Sequence, residues 1–432
     1  MHTLSIQKQV PVIASYDVVV TGGGPGGMMA ALAAARAGAR VALIERYGFL
    51  GGMATAGFVS PLSVFRYNDQ LVVGGIPWDF IRRMEAMGGA EVEMPLGNIS
   101  YRTETFKLAA QQMLLEAGVE LYFHCWLSGC NTDGCGRVTH VILESKSGTQ
   151  AIEGKCFVDG TGDGDLCAMA GMPMLTFDRP LQPASMCFLL GGVDTDKVEK
   201  IHHCLQGVNY HNEPMQARLH EVARTEDVPN FGGPWFCWVL QKGMLMVNCT
   251  RTLANMIDER EQTRAECTLR EDVHKMVDLL RRHFEPFRDA YLIATPPQAG
   301  VRETRHVRGE HILTGQEYAS SFAFEDAIGR GAHPIDIHDA TSTNQRCQFL
   351  EKPAYIPYRS LYNAAFPNLL IASRCLSADH EAFASVRVMA SVMGVGQAAG
   401  LAAAMAVRSG VSVADVDVSV LRRTLIEWGA CL

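Results

Sequence analysis

Gly22, Gly24 and Gly27 stand at the spacing G-x-G-x-x-G, and Glu45 follows at about the twenty-residue offset of a ribose-binding carboxylate. The first glycine permits a tight turn, the second lets backbone approach a pyrophosphate, and the third lets a helix close on a strand. A carboxylate at the offset accepts bonds from ribose hydroxyls and repels a 2′-phosphate. The chemistry this predicts is binding of an adenine dinucleotide without that phosphate.

Such a turn works only between the right elements. Val18–Val20 reads as a short buried strand, Met28–Arg36 is Ala-rich and reads as a helix, Gly38 ends it, and Val41–Ile44 is a second strand. A helix beginning at the turn presents unpaired N–H groups and the positive end of its dipole to phosphate.

Arg46-Tyr-Gly-Phe-Leu-Gly51-Gly52-Met53-Ala54-Thr55 is a second glycine turn, placed where a longer dinucleotide runs on toward a reactive ring. With the Asp-Val-Val-Val strand and Gly-Gly-Gly-Pro-Gly-Gly before it, the chain resembles the FAD-dependent oxidoreductases of the glutathione-reductase-like flavoprotein superfamily. The likeness continues through Ile356-Pro-Tyr-Arg359, the Asn368-Leu-Leu strand, Arg374-Cys375, His380-Glu381, Ser385-Val-Arg-Val-Met389 and Met393-Gly-Val-Gly-Gln-Ala-Ala-Gly400.

The resemblance implies an α/β fold: a Rossmann-like FAD-binding domain of the glutathione-reductase/fumarate-reductase type, with an inserted α+β substrate domain. Residues 12–60, 98–178 and 353–410 are assigned to the FAD domain, 61–97 and 179–352 to the insert, and 411–432 to a C-terminal helical segment. Gly22, Gly24, Pro25 and Gly26 are expected at the pyrophosphate, Glu45 and Arg46 at the adenosine, and Leu127 along the adenine. Gly51, Gly52, Met53 and Ala54 are expected along the chain leading to the isoalloxazine. Gly162, in the turn after Cys156-Phe-Val-Asp159, is expected beside the cofactor, as is Arg374. A helix beginning near Ser385-Val386 is expected to direct its positive end at the flavin.

His380, Arg387, Arg302 and Arg359 are the candidates for substrate contact. His380 is the acid/base candidate, because imidazole titrates near neutrality, and guanidinium forks suit a carboxylate. Val301–Glu310 reads as a solvated edge strand of alternating charge or, by resemblance, as a source of arginines near the flavin. Trp235 and Trp238 belong to a pocket or a core. Cys375 is expected to be a small buried side chain.

Composition excludes other classes. A net charge of −8 without a strongly basic run argues against nucleic acid. Thirteen cysteines include no Cys-x-x-Cys pair, which fits free thiols in a reducing cytoplasm and leaves no ligands for an iron–sulfur cluster. The uncharged run 388–407 is long enough to span a bilayer, yet its Ala, Gly, Ser and Met suit close helix packing, so no membrane is expected. His333, Asp336, His338 and Asp339 match no common metal spacing and are expected in a polar surface loop, with no metal assigned. His202, His203, His211 and His220 are expected to be surface or core histidines.

The function expected is an FAD-dependent oxidoreductase moving a hydride between a small organic substrate and flavin N5. The alternatives are an FAD-dependent monooxygenase and an FAD-holding electron-transfer subunit. Expected partners are the substrate, with an anionic group if the arginines face it, and NADH, NADPH or another electron donor or acceptor; a homodimer is compatible with the chain.

Overall fold

Short apolar runs broken by glycine turns fold the amino-terminal part into β1 (Val12–Thr21), α1 (Pro25–Arg36) and β2 (Val41–Ile44). The computed structural model describes residues 4, 7–198, 212–339 and 341–432. Helix α1 starts earlier than the expected Met28. Pro25 occupies its first turn, where a fixed φ suits a helix and the missing N–H loses no bond.

β1 and β2 run parallel, and β3 (Glu120–Tyr122) adds in parallel beyond β2. On its other side β1 pairs in parallel with β6 (Gly148–Asp159). The first half of β6 pairs antiparallel with β5 (Val138–Ser145), and its last residues pair in parallel with the strand Leu369–Ile371. β4 (Trp126–Thr132) completes the seven strands by pairing with β5. The fold is mixed α/β, and Val18, Val19, Val20, Leu43, Phe157 and Leu370 are wholly buried at its centre.

The uncharged run is α3 (Met389–Ser409), and 94% of its most apolar window is buried inside the molecule. A methyl group at Gly396 would overlap the Gly26 backbone, and one at Gly400 the Ala30 backbone. Small residues four apart therefore let α1 and α3 touch backbone to backbone, which accounts for the composition of both.

A second core runs from Ala184 to Val301. It is built on β7 (Phe188–Gly191), β8 (Phe231–Trp238), β9 (Leu245–Thr250) and β10 (Tyr291–Ala294), antiparallel in the order β8–β9–β7–β10. Helix α2 (Glu259–His283) is capped by the Asp258 carboxylate, which accepts from the N–H groups of Arg260 and Glu261. It buries Leu269, Val273, Met276 and Leu280 along one stripe, each worth about 1.5–3 kcal/mol in apolar burial. Only its outer face is exposed.

Three segments differ from expectation. Leu62, Phe65, Val73, Phe80 and Met84 join the first core, so the second core is smaller than an insert over 61–97 and 179–352. Within Val301–Glu310 only His306–Val307 is strand, paired with Met174–Leu175. Glu303 and His306 there are almost wholly buried, because each finds charged or polar partners inside. The stretch 333–339 is no surface loop: Ile335–His338 is a strand paired with Gln345–Gln348, and His333 and His338 are buried.

Residues 202, 203 and 211 lie outside the described residues, and His220 is exposed with its ring 3.2 Å from the Thr343 hydroxyl. The closing helix Val418–Glu427 docks through Leu421 and Leu425.

Candidate functional site

The end of β1, the start of α1 and the start of α3 converge on a cleft of about 1690 Å³, its open mouth included. One continuous lining joins the Gly22 turn, Glu45, Met53 and the start of α3.

Its glycines fall into two kinds. Gly22 turns the chain at φ +88°, and a methyl there would stand 2.6 Å from Gly160 backbone. Methyls at Gly26 and Gly27 would overlap the carbonyl oxygens of Ala372 and Gly22. The protein's own packing requires all three. Gly24 is different: its φ is −70°, and a methyl would come no nearer than 3.7 Å to the surrounding protein. The space it spares belongs to the cavity, which Gly22, Gly24, Pro25 and Gly26 all line. Helix α1 has no side-chain cap, so its first-turn N–H groups are left for an anion.

Beyond this cradle, Glu45 accepts the Gly23 N–H at 2.7 Å and the Tyr47 N–H at 2.9 Å, one on each oxygen. The other lone pairs suit ribose hydroxyls. Burial raises its carboxyl pKa above the ordinary value, with the two N–H groups opposing. Glu45 and Arg46 line both the main cleft and a smaller hollow, where Leu127 and Trp126 form the far wall. Asp165 also lines that hollow, its carboxyl raised to about 6 by burial and by Asp163 and Asp159. Glu45→Gln puts an amide where one oxygen accepts an N–H. We expect its FAD dissociation constant to rise about tenfold, the loss of one bond to a charged group; an unchanged constant in a fluorescence titration would remove the ribose assignment.

Toward the middle, Gly52 and Met53 line the cleft, whereas Gly51 and Ala54 sit behind it, Gly51 against Thr55 and Phe106. Gly162, at φ +89°, faces the Arg374 guanidinium. Arg374 is on the wall, but Asp163 pairs with it at 2.5 Å, so it carries no unbalanced charge. Cys375 is buried beside Ser373, and burial pushes its thiol well above the ordinary range.

Ser385 and Val386 do not reach the cavity. They belong to a short helix, His380–Val386, and the Ser385 hydroxyl donates to the His333 carbonyl. The helix that begins at the cleft is α3: Val388, Met389 and Val392 line it, with no side-chain cap on the helix. His380 is not on the cleft wall either; its Nδ1 lies 3.8 Å from the buried Glu303. Arg359 is half-exposed on the surface, paired with Asp326 at 3.0 Å.

Arg302 and Arg387 do line the cleft. Facing them are residues that sequence reasoning missed or misplaced: Asp336, His338, Gln298 and Asn248 on the wall, with Arg251 behind His338. Trp235 lines it too, the pocket alternative for that residue. His338 is pinned at both nitrogens. Nε2 lies 3.0 Å from the Asp336 carboxylate and Nδ1 3.0 Å from an Arg251 Nη, so Nε2 donates and Nδ1 accepts. Burial lowers its pKa to about 3. For Asp336 burial works upward, but His338 and Arg387 hold the carboxyl well below the ordinary range. Arg46 and Tyr47 both donate to Gln298, which ties the Glu45 end of the cleft to the second core. The dense His and Asp run at 333–339 was the one local signal for this wall.

The family model for FAD dependent oxidoreductases matches residues 17–425. A stretch of 42 residues is 55% identical to dihydrolipoyl dehydrogenase of Trypanosoma brucei brucei, covering 10% of this chain and 9% of that enzyme. Among solved structures, a geranylgeranyl bacteriochlorophyll reductase-like protein of Thermoplasma acidophilum is similar in fold, with TM-score 0.50 and 13% identity over 97% of this chain and 84% of that one. The p-nitrophenol 4-monooxygenase of Pseudomonas putida aligns with TM-score 0.45 and 12% identity over 97% of this chain and 87% of that one. A family match over residues 17–425 takes in both ends of the cleft, α1 and α3 alike; the chain therefore belongs to the FAD dependent oxidoreductases, an enzyme that works with FAD.

Proposed function

We propose that this enzyme transfers a hydride between a small organic substrate and the flavin, on a fold of the glutathione-reductase-like type whose second core serves as the substrate domain. One observation carries the reading. The cleft runs unbroken from the phosphate cradle at Gly24, past Met53, to a chamber between the start of α3 and the wall of Cys187, Trp235 and Asn248.

Bound FAD supplies a hydride acceptor or donor at its N5. The chain's residues do the rest. The uncapped start of α3 on the cleft wall offers N–H groups and a positive dipole end that would stabilise negative charge on a reduced flavin held there. Cys187 and Trp235, both buried, give the chamber an apolar wall. His333 stands on the wall with Nδ1 2.8 Å from the Pro334 carbonyl, which fixes that nitrogen as the donor. His338, held neutral between Asp336 and Arg251, is not suited to take the substrate's proton.

The test is anaerobic reduction of the yellow holoprotein by candidate organic substrates and by NADH and NADPH, followed by flavin absorbance. Bleaching by an organic substrate supports the reading. Oxygen consumption coupled to hydroxylation, without anaerobic reduction by the organic molecule, overturns it in favour of a monooxygenase. His380→Ala should leave both FAD binding and the rate of bleaching within about twofold of wild type, because the ring is off the cleft wall. A large loss of bleaching would return His380 to the reacting centre.

A further inference from the structure

Arginines in and around the chamber end of the cleft are found in two conditions. Where an arginine serves the fold, a carboxylate meets it: Arg374 with Asp163, Arg305 with Asp165, Arg179 with Glu303. Arg302, Arg387 and Arg251 break this pattern. Among the described residues, none of the three forms an ion pair with a carboxylate.

Their bonds go to neutral acceptors. Arg302 donates to the Pro183 carbonyl at 2.8 Å and the Ser185 hydroxyl at 2.5 Å. Arg387 donates to the Asp336 carbonyl at 3.2 Å and the Gln182 amide oxygen at 3.5 Å. Arg251 donates to the carbonyls of Ser342 and Asn344 and to His338. The buried Nε atoms of Arg387 and Arg251 have no hydrogen-bond partner. Asp336 is the carboxylate of this wall, and its side chain is engaged by His338.

Asp336 acts on all three guanidiniums, with Asp339 near Arg251 and Glu303 near Arg387, and among the described residues none of these carboxylates forms an ion pair with them. Burial lowers the pKa of Arg302 to about 9, with Arg387 and Arg251 adding to the effect, and that of Arg251 to about 10. Uncompensated buried charge is costly, so a fold retains it where a ligand completes the pairing. A planar guanidinium fork matches a planar carboxylate.

Resting on the assignment of this chamber to the substrate, we propose that it is a carboxylate subsite: the substrate is a small organic acid whose carboxylate is held between Arg302 and Arg387. Arg251, behind His338, adds to the positive field. The apolar part of the substrate lies against Trp235, which lines the same wall.

The test uses the FAD-loaded enzyme and unreactive probes, so it needs no known substrate. Acetate, malonate, inorganic phosphate and acetamide are titrated at constant ionic strength, and the flavin absorbance change gives each dissociation constant. The carboxylates should bind at least about tenfold more tightly than acetamide and phosphate, as expected for charge-assisted bonds. Arg302→Met should weaken acetate binding about tenfold or more, with Arg302→Lys between the two. Equal binding of acetamide overturns the proposal, as does tighter phosphate or unchanged acetate binding in folded Arg302→Met and Arg387→Met. If those variants do not fold, the wild-type panel decides. Failure of every substrate to reduce the flavin would count against hydride transfer while leaving this titration readable.

Discussion

Gly24→Ala protein should fold as well as wild type and yet lose most of its affinity for FAD. At an N-cap, alanine is less favourable than glycine by a fraction of a kcal/mol, and the loss of chain freedom in the unfolded state offsets it by about 0.4–1 kcal/mol. The methyl meets no protein atom closer than 3.7 Å beyond its own neighbours. It does project into the cleft at the uncapped start of α1, where it separates the phosphates from the N–H groups. Losing one or two bonds to a charged group, at about 1.5–3 kcal/mol each, raises the dissociation constant roughly tenfold to more than a hundredfold. Gly26→Ala is the contrast, since its methyl overlaps the Ala372 carbonyl and presses on Val392 of α3. That variant should lose thermal stability together with FAD. Thermal unfolding of the apoprotein and fluorescence titration with FAD separate the two cases; an unchanged FAD constant in Gly24→Ala would show that the cradle does not hold the phosphates.

Glu303→Gln should be the most destabilising single substitution near the chamber. The Glu303 carboxylate accepts from two Arg179 nitrogens, from the Gln182 N–H at 2.8 Å and from the His306 ring at 2.9 Å. The other His306 nitrogen is 3.0 Å from the Ala378 carbonyl. Removing the negative charge leaves the largely buried Arg179 guanidinium without its carboxylate, which costs about 3–5 kcal/mol. In urea unfolding at pH 7 that is a loss of more than about a hundredfold in the folding constant.

The pH dependence has a definite sign. Burial alone would raise the Glu303 pKa, but the bonds from His306 and Arg179, with the nearby His380 ring, outweigh it and hold the carboxyl well below the ordinary range. Its stabilisation is therefore full above the unfolded pKa of about 4.3 and declines as pH falls toward the folded value. The gap between wild type and Glu303→Gln should shrink by about 1.4 kcal/mol per unit as pH falls below about 4. A gap that grew below that pH would rule out this attribution. Because Gln182 also accepts from Arg387 and Glu303 follows Arg302 in the chain, the variant should weaken acetate binding as well.

Local chemistry made the cofactor half of the site legible. The turn at Gly22–Gly27, the carboxylate at Glu45 and the small-residue helix over 388–407 each act through neighbours a few residues away or through one repeating face. The Asp336 and His338 wall was visible as a dense run of ionisable residues and was still misjudged, because such a run on a solvated loop has the same composition. His380 was misplaced for a geometric reason: the short helix His380–Val386 intervenes before α3 and turns the ring toward Glu303.

By itself the sequence pointed to a dinucleotide-binding turn at the head of α1, since strand, turn, helix and carboxylate are contiguous and their spacing is set by backbone geometry. Only the tertiary structure decided that Arg302 and Arg387 line one chamber with Asp336, that Arg251 stands behind His338, and that Arg359 lies elsewhere. Those residues come from different elements of two cores, and whether a charge is buried or paired depends on packing between segments that no local pattern encodes.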